Sequence, residues 1–241
     1  MECAETRDFV FYKEACMKVA ILVDGGFYRR RAQSCLGEKT PEERVKELIT
    51  YCYRHLKDRT RSHGYLELYR IFYYDCPPMA KNVYHPLLKK AVDFSKTPLN
   101  KWMEDFFEQL RRQRKVALRL GKLSDEQAHY NIRPETLKKL LAGKITLDQL
   151  TEQDFFINVD QKGVDIKIGI DIASLAYKKQ VDQIVLISGD SDFVPAAKLA
   201  RREGIDFILD PLFNHIKPDL YEHIDGLYTC DSAYKPKENT V

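Results

Sequence analysis

The chain has 241 residues, 44% of them hydrophobic, and a formal net charge of +3 from 39 basic and 36 acidic side chains. That length is long for one domain and short for two, and the apolar share supports one sizeable core carrying an elaboration. The near balance of charge excludes a polybasic tail protein but allows basic patches around an acidic centre.

The first element is the apolar run VAILVD (19–24), predicted as a strand ending on Asp24. PEERVKELITYCYRHLKD (41–58) predicts a helix, with Pro41, Glu42 and Glu43 in its first turn where the dipole favours them. LYRIFYYD (68–75) is the second strand. Residues 79–150 then break the rhythm with the lone Trp102, the basic run RRQRK (111–115), a short strand in VALRLGKL (116–123) and a helix-like NIRPETLKKLLAGK. They read as a largely helical insertion on the core.

DIKIGIDIASLAYKKQ (165–180) predicts a helix with Ile166, Ile170, Ala173 and Tyr177 on one side and lysines at its end. IVLISGD (184–190) is the third strand. DFVPAAKLARREG (192–204) follows as a helix, with Pro195 in the first turn and Gly204 where a terminating glycine belongs. IDFILD (205–210) is the fourth strand, and the tail reads as disordered over 236–241. Strands alternating with helices predict an α/β fold, a doubly wound, mostly parallel sheet, in a single domain spanning 1–235 with its insertion at about 79–150. Continuous rather than alternating apolar strands mean that both faces of the sheet are covered.

No apolar run approaches the ~20 residues of a membrane span. The N-terminal MECAETRDFVFYKEACMK carries acids and no long apolar stretch, so a cytoplasmic protein away from membranes is expected. The six cysteines are scattered with no C-x-x-C pair, which reads as reduced thiols rather than a zinc site or a disulfide framework.

Ligands of an open parallel sheet bind beyond the carboxyl ends of its strands. Asp24, Asp75, Asp190 and Asp210 all fall at that edge, and Asp165 follows Gly163 at a helix start on the same side. A single Asp after a strand is usually a turn or a helix cap, and Asp75 and Asp210, each followed shortly by Pro, are read so. Asp24, Asp165, Asp190 and Asp192 together need a cation, and hard oxygen ligands select Mg²⁺ or Mn²⁺. One or two such ions activate water and stabilise the attacking and leaving oxygens of a phosphodiester. Gly25, Gly26 and Gly189 are read as room for a substrate phosphate.

The stretches VAILVDGGFYRR, QKGVDIKIGIDIASLA and LISGDSDFVPAAKLARREG together resemble the NYN domain, a branch of the PIN-like nuclease superfamily. The resemblance runs from about residue 18 to 230, and within the family the chain is most similar to the bacterial LabA-like group. It implies a three-layer α/β/α PIN-like fold, dependence on Mg²⁺ or Mn²⁺, and endo- or exoribonuclease activity on RNA. It also implies catalytic, metal-binding roles for Asp24, Asp165, Asp190 and Asp192. Asp171 matches a recurrent family Asp but lies almost two helical turns past Asp165. Many members carry Asn shortly after the first Asp; here Gly26, Phe27 and Tyr28 follow instead, so a polar helper is missing.

Substrate-binding candidates are Gly25, Lys162, Ser188, Arg29 and Arg30. Ser188 can bond an acid or a phosphate, and equally can cap the next turn. Lys162 and the triplet Arg29, Arg30 and Arg31 can meet phosphates, or be solvated surface. The run Arg111 to Lys115 is foremost a solvated helical face and only secondarily an RNA guide. His85, His215 and His223 are read as structural or surface residues. A metal-dependent ribonuclease is the leading reading, with RNA as partner, and a homo-oligomer is compatible with it. A non-catalytic RNA-binding module is the alternative. A phosphatase ranks third, because its D-x-D loop belongs after the first strand, whereas here D-x-D falls late.

Overall fold

The computed structural model describes residues 16–57 and 66–235; the N-terminal stretch and the 236–241 tail lie outside the described residues. In chain order the core opens with β1 (Met17–Asp24), α1 (Gly25–Leu36), α2 (Pro41–Arg54) and β2 (Leu66–Asp75). The middle holds β3 (Asn82–His85), β4 (Lys90–Asp93), α3 (Pro98–Arg111), β5 (Val116–Leu120), β6 (Lys122–Ile132) and α4 (Pro134–Leu141). The chain continues with β7 (Phe155–Lys162), α5 (Val164–Tyr177), β8 (Gln183–Ile187), α6 (Val194–Arg202), β9 (Asp206–Asp210), α7 (Pro218–Tyr221) and β10 (Gly226–Leu227).

Local chemistry sets several of these boundaries. Thr40 accepts from Glu43 N–H at 3.3 Å while Glu43 accepts from Thr40 N–H at 2.9 Å, a reciprocal box that starts α2 ahead of Pro41. Pro195 occupies the first turn of α6, and Gly204 follows its end at φ +84°, a conformation that costs glycine least. The helix expected over 41–58 ends at Arg54, because His55 caps it and turns its ring inward.

Six strands form one parallel sheet in the order β10-β9-β8-β1-β2-β5. Along β1 the side chains alternate between two cores. Val19, Ile21 and Val23 pack with α1, α2 and α3, whereas Ala20 and Leu22 pack with α5 and α6. That alternation is why β1 reads as an unbroken apolar run and why the architecture has three layers, α/β/α. The chain builds outward from β1 through β2 to β5, then crosses to β8 and builds the other way. The crevice where an open sheet binds ligands therefore lies beyond the carboxyl ends of β1 and β8.

One expectation needs correction. The stretch 79–150 is mixed rather than largely helical. Its α3 joins the α1–α2 layer, and its β5 becomes the sheet edge beside β2. Its β3 and β4 pair as an antiparallel hairpin, and its β6 pairs with β7 as an antiparallel ribbon. Helix α5 buries Val164, Ile168, Ile172, Leu175 and Ala176, leaving Ile166, Ile170 and Tyr177 exposed at 68%, 61% and 63%. The helix is apolar on nearly every side, so periodicity alone could not select the inward face.

Candidate active site

Asp24 closes β1 and caps α1: its Oδ1 accepts from Phe27 N–H at 3.0 Å. Its Oδ2 accepts from the Ser188 hydroxyl at 3.2 Å, and Ser188 Oγ accepts in turn from Asp190 N–H at 3.3 Å. Ser188 is fully buried and ties the ends of neighbouring strands together, so both roles weighed for it coexist. Asp190 caps the turn before α6, accepting from Asp192 N–H at 3.1 Å. The cap is thus Asp190, three residues past the end of β8, and Asp192 stands exposed in the first turn. Asp165 occupies the first turn of α5, after Gly163 at φ +81°, and is largely exposed.

Asp165 is the electrostatic link between Asp24 on one side and Asp190 and Asp192 on the other. Burial raises Asp24 above the usual carboxylate range, opposed by the Phe27 N–H, the Arg30 charge and Ser188, with Asp165 adding to the rise. Partial burial raises Asp165, followed by the charges of Asp190 and Asp192. Among the described residues, the Asp165 and Asp192 carboxylates accept no hydrogen bond and pair with no cation. No three of the four carboxylates come within 4.8 Å of one another. The four side chains offer only carboxylate oxygens, the ligand type that hard divalent cations take. Asp171 is engaged elsewhere, accepting from Tyr74 Oη at 2.8 Å and pairing with Arg119 at 3.1 Å.

The glycines divide by role. A Cβ on Gly25 would lie 2.6 Å from the Tyr73 ring and from Tyr74 O, so Gly25 lets α1 press onto β2 rather than opening space for phosphate. Gly189 likewise abuts Phe27 at 2.9 Å. Gly26 faces the site, with Asp24 Oδ1 and Arg30 as its nearest neighbours.

The arginines divide in the same way. Arg29 grips the buried Asp75 through Nε at 2.8 Å and Nη2 at 3.0 Å, which removes it from the phosphate-binding candidates. Arg31 donates to the Leu212 and Tyr234 carbonyls at 2.7 and 2.9 Å. Arg30 is exposed and acts on Asp24. Lys162 is exposed one residue before Gly163. Sequence reasoning missed Lys217, which donates to Ser191 Oγ at 3.1 Å between Asp190 and Asp192; it lies far along the chain and carries no local signal. The basic run 111–115 ends α3 and precedes the start of β5, so it sits at the amino edge of the sheet, opposite the acids. There Arg111 and Arg112 pair with Glu108 at 3.5 and 3.1 Å.

A second group was not anticipated. His55, Asp210 and Cys230 bring ligand atoms within 4.8 Å of one another. Asp210 Oδ2 already accepts from Tyr51 Oη and bonds His55 Nε2 at 2.9 Å. Its Oδ1 accepts from Leu212 N–H at 2.8 Å and Thr229 Oγ1 at 2.7 Å. Burial would lower the His55 pKa, but its bonds to Asp210 and Cys230 raise it to about 9. With its carboxylate lone pairs filled, this buried group joins α2, β9 and the C-terminal segment.

A family model for the NYN domain matches residues 18–215. No curated protein matches the chain. A solved structure of a protein of unknown function, VPA0982 from Vibrio parahaemolyticus RIMD 2210633, aligns with 90% of this chain and 95% of its own. Its identity is 15% and its TM-score 0.46.

Proposed function

Because the chain belongs to the NYN domain family, within the PIN-like nuclease superfamily, we propose that it is a Mg²⁺- or Mn²⁺-dependent ribonuclease of the LabA-like branch. One NYN domain spanning 1–235 would carry the activity, acting on RNA in the cytoplasm. The observation that carries this reading is the approach of Asp165, on α5, to Asp24 at the end of β1 and to Asp190 and Asp192 in the turn before α6, close enough for their charges to act on one another through it. Mutual repulsion of this kind has no structural benefit, and it is relieved by a bound cation.

Asp24, Asp165, Asp190 and Asp192 would hold one or two ions. Bound there, a divalent cation supplies Lewis-acid activation of water and of the scissile phosphate. Ser188 and the Phe27 N–H fix the Asp24 carboxylate in one orientation and favour its charged form. Asp190 orders the turn that presents Asp192. Arg30, Lys162 and Lys217 flank the acids and would neutralise backbone phosphates.

The test incubates labelled single-stranded RNA with the wild type and with Asp165→Asn, in Mn²⁺ and in EDTA. Cleavage by the wild type in Mn²⁺ alone, lost in the variant, is the expected result. RNA bound but left intact by the wild type would identify a non-catalytic binding module instead.

A further inference from the structure

We propose that Lys122 and Lys162 form a two-ammonium grip for the RNA backbone phosphate next to the one cleaved, at the root of the β6–β7 ribbon. This inference rests on the ribonuclease reading and adds a residue, Lys122, and a function for the ribbon.

Lys122 and Lys162 are direct cross-strand partners in the antiparallel register, so their side chains leave the same face of the ribbon. Like charges placed opposite each other weaken a two-stranded pairing. Both lysines are exposed, and among the described residues neither ammonium pairs with a carboxylate. Two neighbouring ammonium groups on one face, neither paired with a carboxylate among the described residues, suit a phosphate.

The root is held rigidly beside the acids. Gly121 N–H donates to Asp75 O at 2.8 Å at the carboxyl end of β2. A Cβ on Gly121 would lie 2.7 Å from Lys162 O, 2.9 Å from Val164 and 3.0 Å from Cys76 Sγ, so only glycine lets the strands cross there. The Cys76 thiol donates to Lys122 O at 3.6 Å and lies within the electrostatic reach of Asp165. Lys162 leads directly through Gly163 into α5, whose first turn carries Asp165. The hairpin β3–β4 braces the far half of the ribbon, with the His85 ring 4.2 Å from Tyr130 and 5.1 Å from Phe155.

The experiment measures binding of a fluorescein-labelled oligouridine in EDTA, which separates binding from cleavage, across a range of salt. Lys122→Gln/Lys162→Gln is expected to bind about tenfold more weakly and to lower the salt slope by about one unit. Lys122→Arg/Lys162→Arg should restore both. Unchanged affinity and slope in the double glutamine variant, alongside wild-type cleavage in Mn²⁺, would overturn the grip and leave the ribonuclease reading standing. A wild type that neither binds nor cleaves RNA would overturn both.

Discussion

The Ser188 hydroxyl donates to Asp24 Oδ2 at 3.2 Å, joining residues 164 positions apart across the ends of β1 and β8. The bond opposes the burial that raises Asp24, so it helps keep that carboxylate charged. Ser188→Ala should therefore raise the Asp24 pKa further and move the acid limb of RNA cleavage to higher pH. Stability should fall by about 1 kcal/mol, the net value of one hydrogen bond. A pH profile of kcat/KM with its acid limb unmoved would remove Ser188 from the site.

Asp190 and Asp192 separate capping from charge. Asn at position 190 still accepts from Asp192 N–H, so Asp190→Asn should lose no thermal stability. Cleavage should nevertheless fall on the order of a hundredfold, a few kcal/mol of transition-state stabilisation. Asp192→Asn should also lose activity, by less. Wild-type cleavage by Asp192→Asn would reduce the site to three acids.

Asp165 should cost stability in the absence of divalent ions. Its folded-state pKa is raised above the unfolded value by partial burial and by Asp190 and Asp192. The charged form is therefore disfavoured in the fold at every pH above the unfolded carboxylate pKa, and the penalty disappears below it. Asp165→Asn should raise the melting temperature in EDTA at neutral pH. Added Mn²⁺ should stabilise the wild type more than the variant. A variant that melts lower in EDTA would contradict the coupling.

Neighbouring arginines should behave oppositely. Arg29→Ala strands the buried Asp75 carboxylate and should destabilise by about 3–5 kcal/mol. Arg30→Ala removes an exposed charge beside Asp24, so it should leave the denaturation midpoint unchanged and weaken RNA binding. Denaturant melts and binding isotherms of the two variants check the contrast.

His55 predicts a basic limb of stability. Its folded-state pKa of about 9, set by burial opposed by bonds to Asp210 and Cys230, exceeds the unfolded value near 6.5. The stabilisation is fully present below the unfolded value and is lost as pH rises through about 9. His55→Gln should flatten the melting temperature over that interval. An equally steep decline in the variant would assign it to other groups.

Much of the fold is legible in short stretches of sequence. Continuous apolar runs announce strands covered on both faces, and VAILVD, LYRIFYYD, IVLISGD and IDFILD all became strands of one parallel sheet. Proline and acidic first turns announce helix starts, as at Pro41 and Pro195. Aspartates at strand ends announce the edge where they gather. These signals are local because backbone conformation and capping depend on near neighbours. Tertiary packing alone decided that Arg29 serves Asp75 and that Gly25 lies against Tyr73. It also chose the inward face of α5, recruited β5 to the sheet and set Lys122 opposite Lys162. Each of those outcomes joins segments distant in sequence, where shape and unpaired charge select a partner that no short stretch of chain encodes.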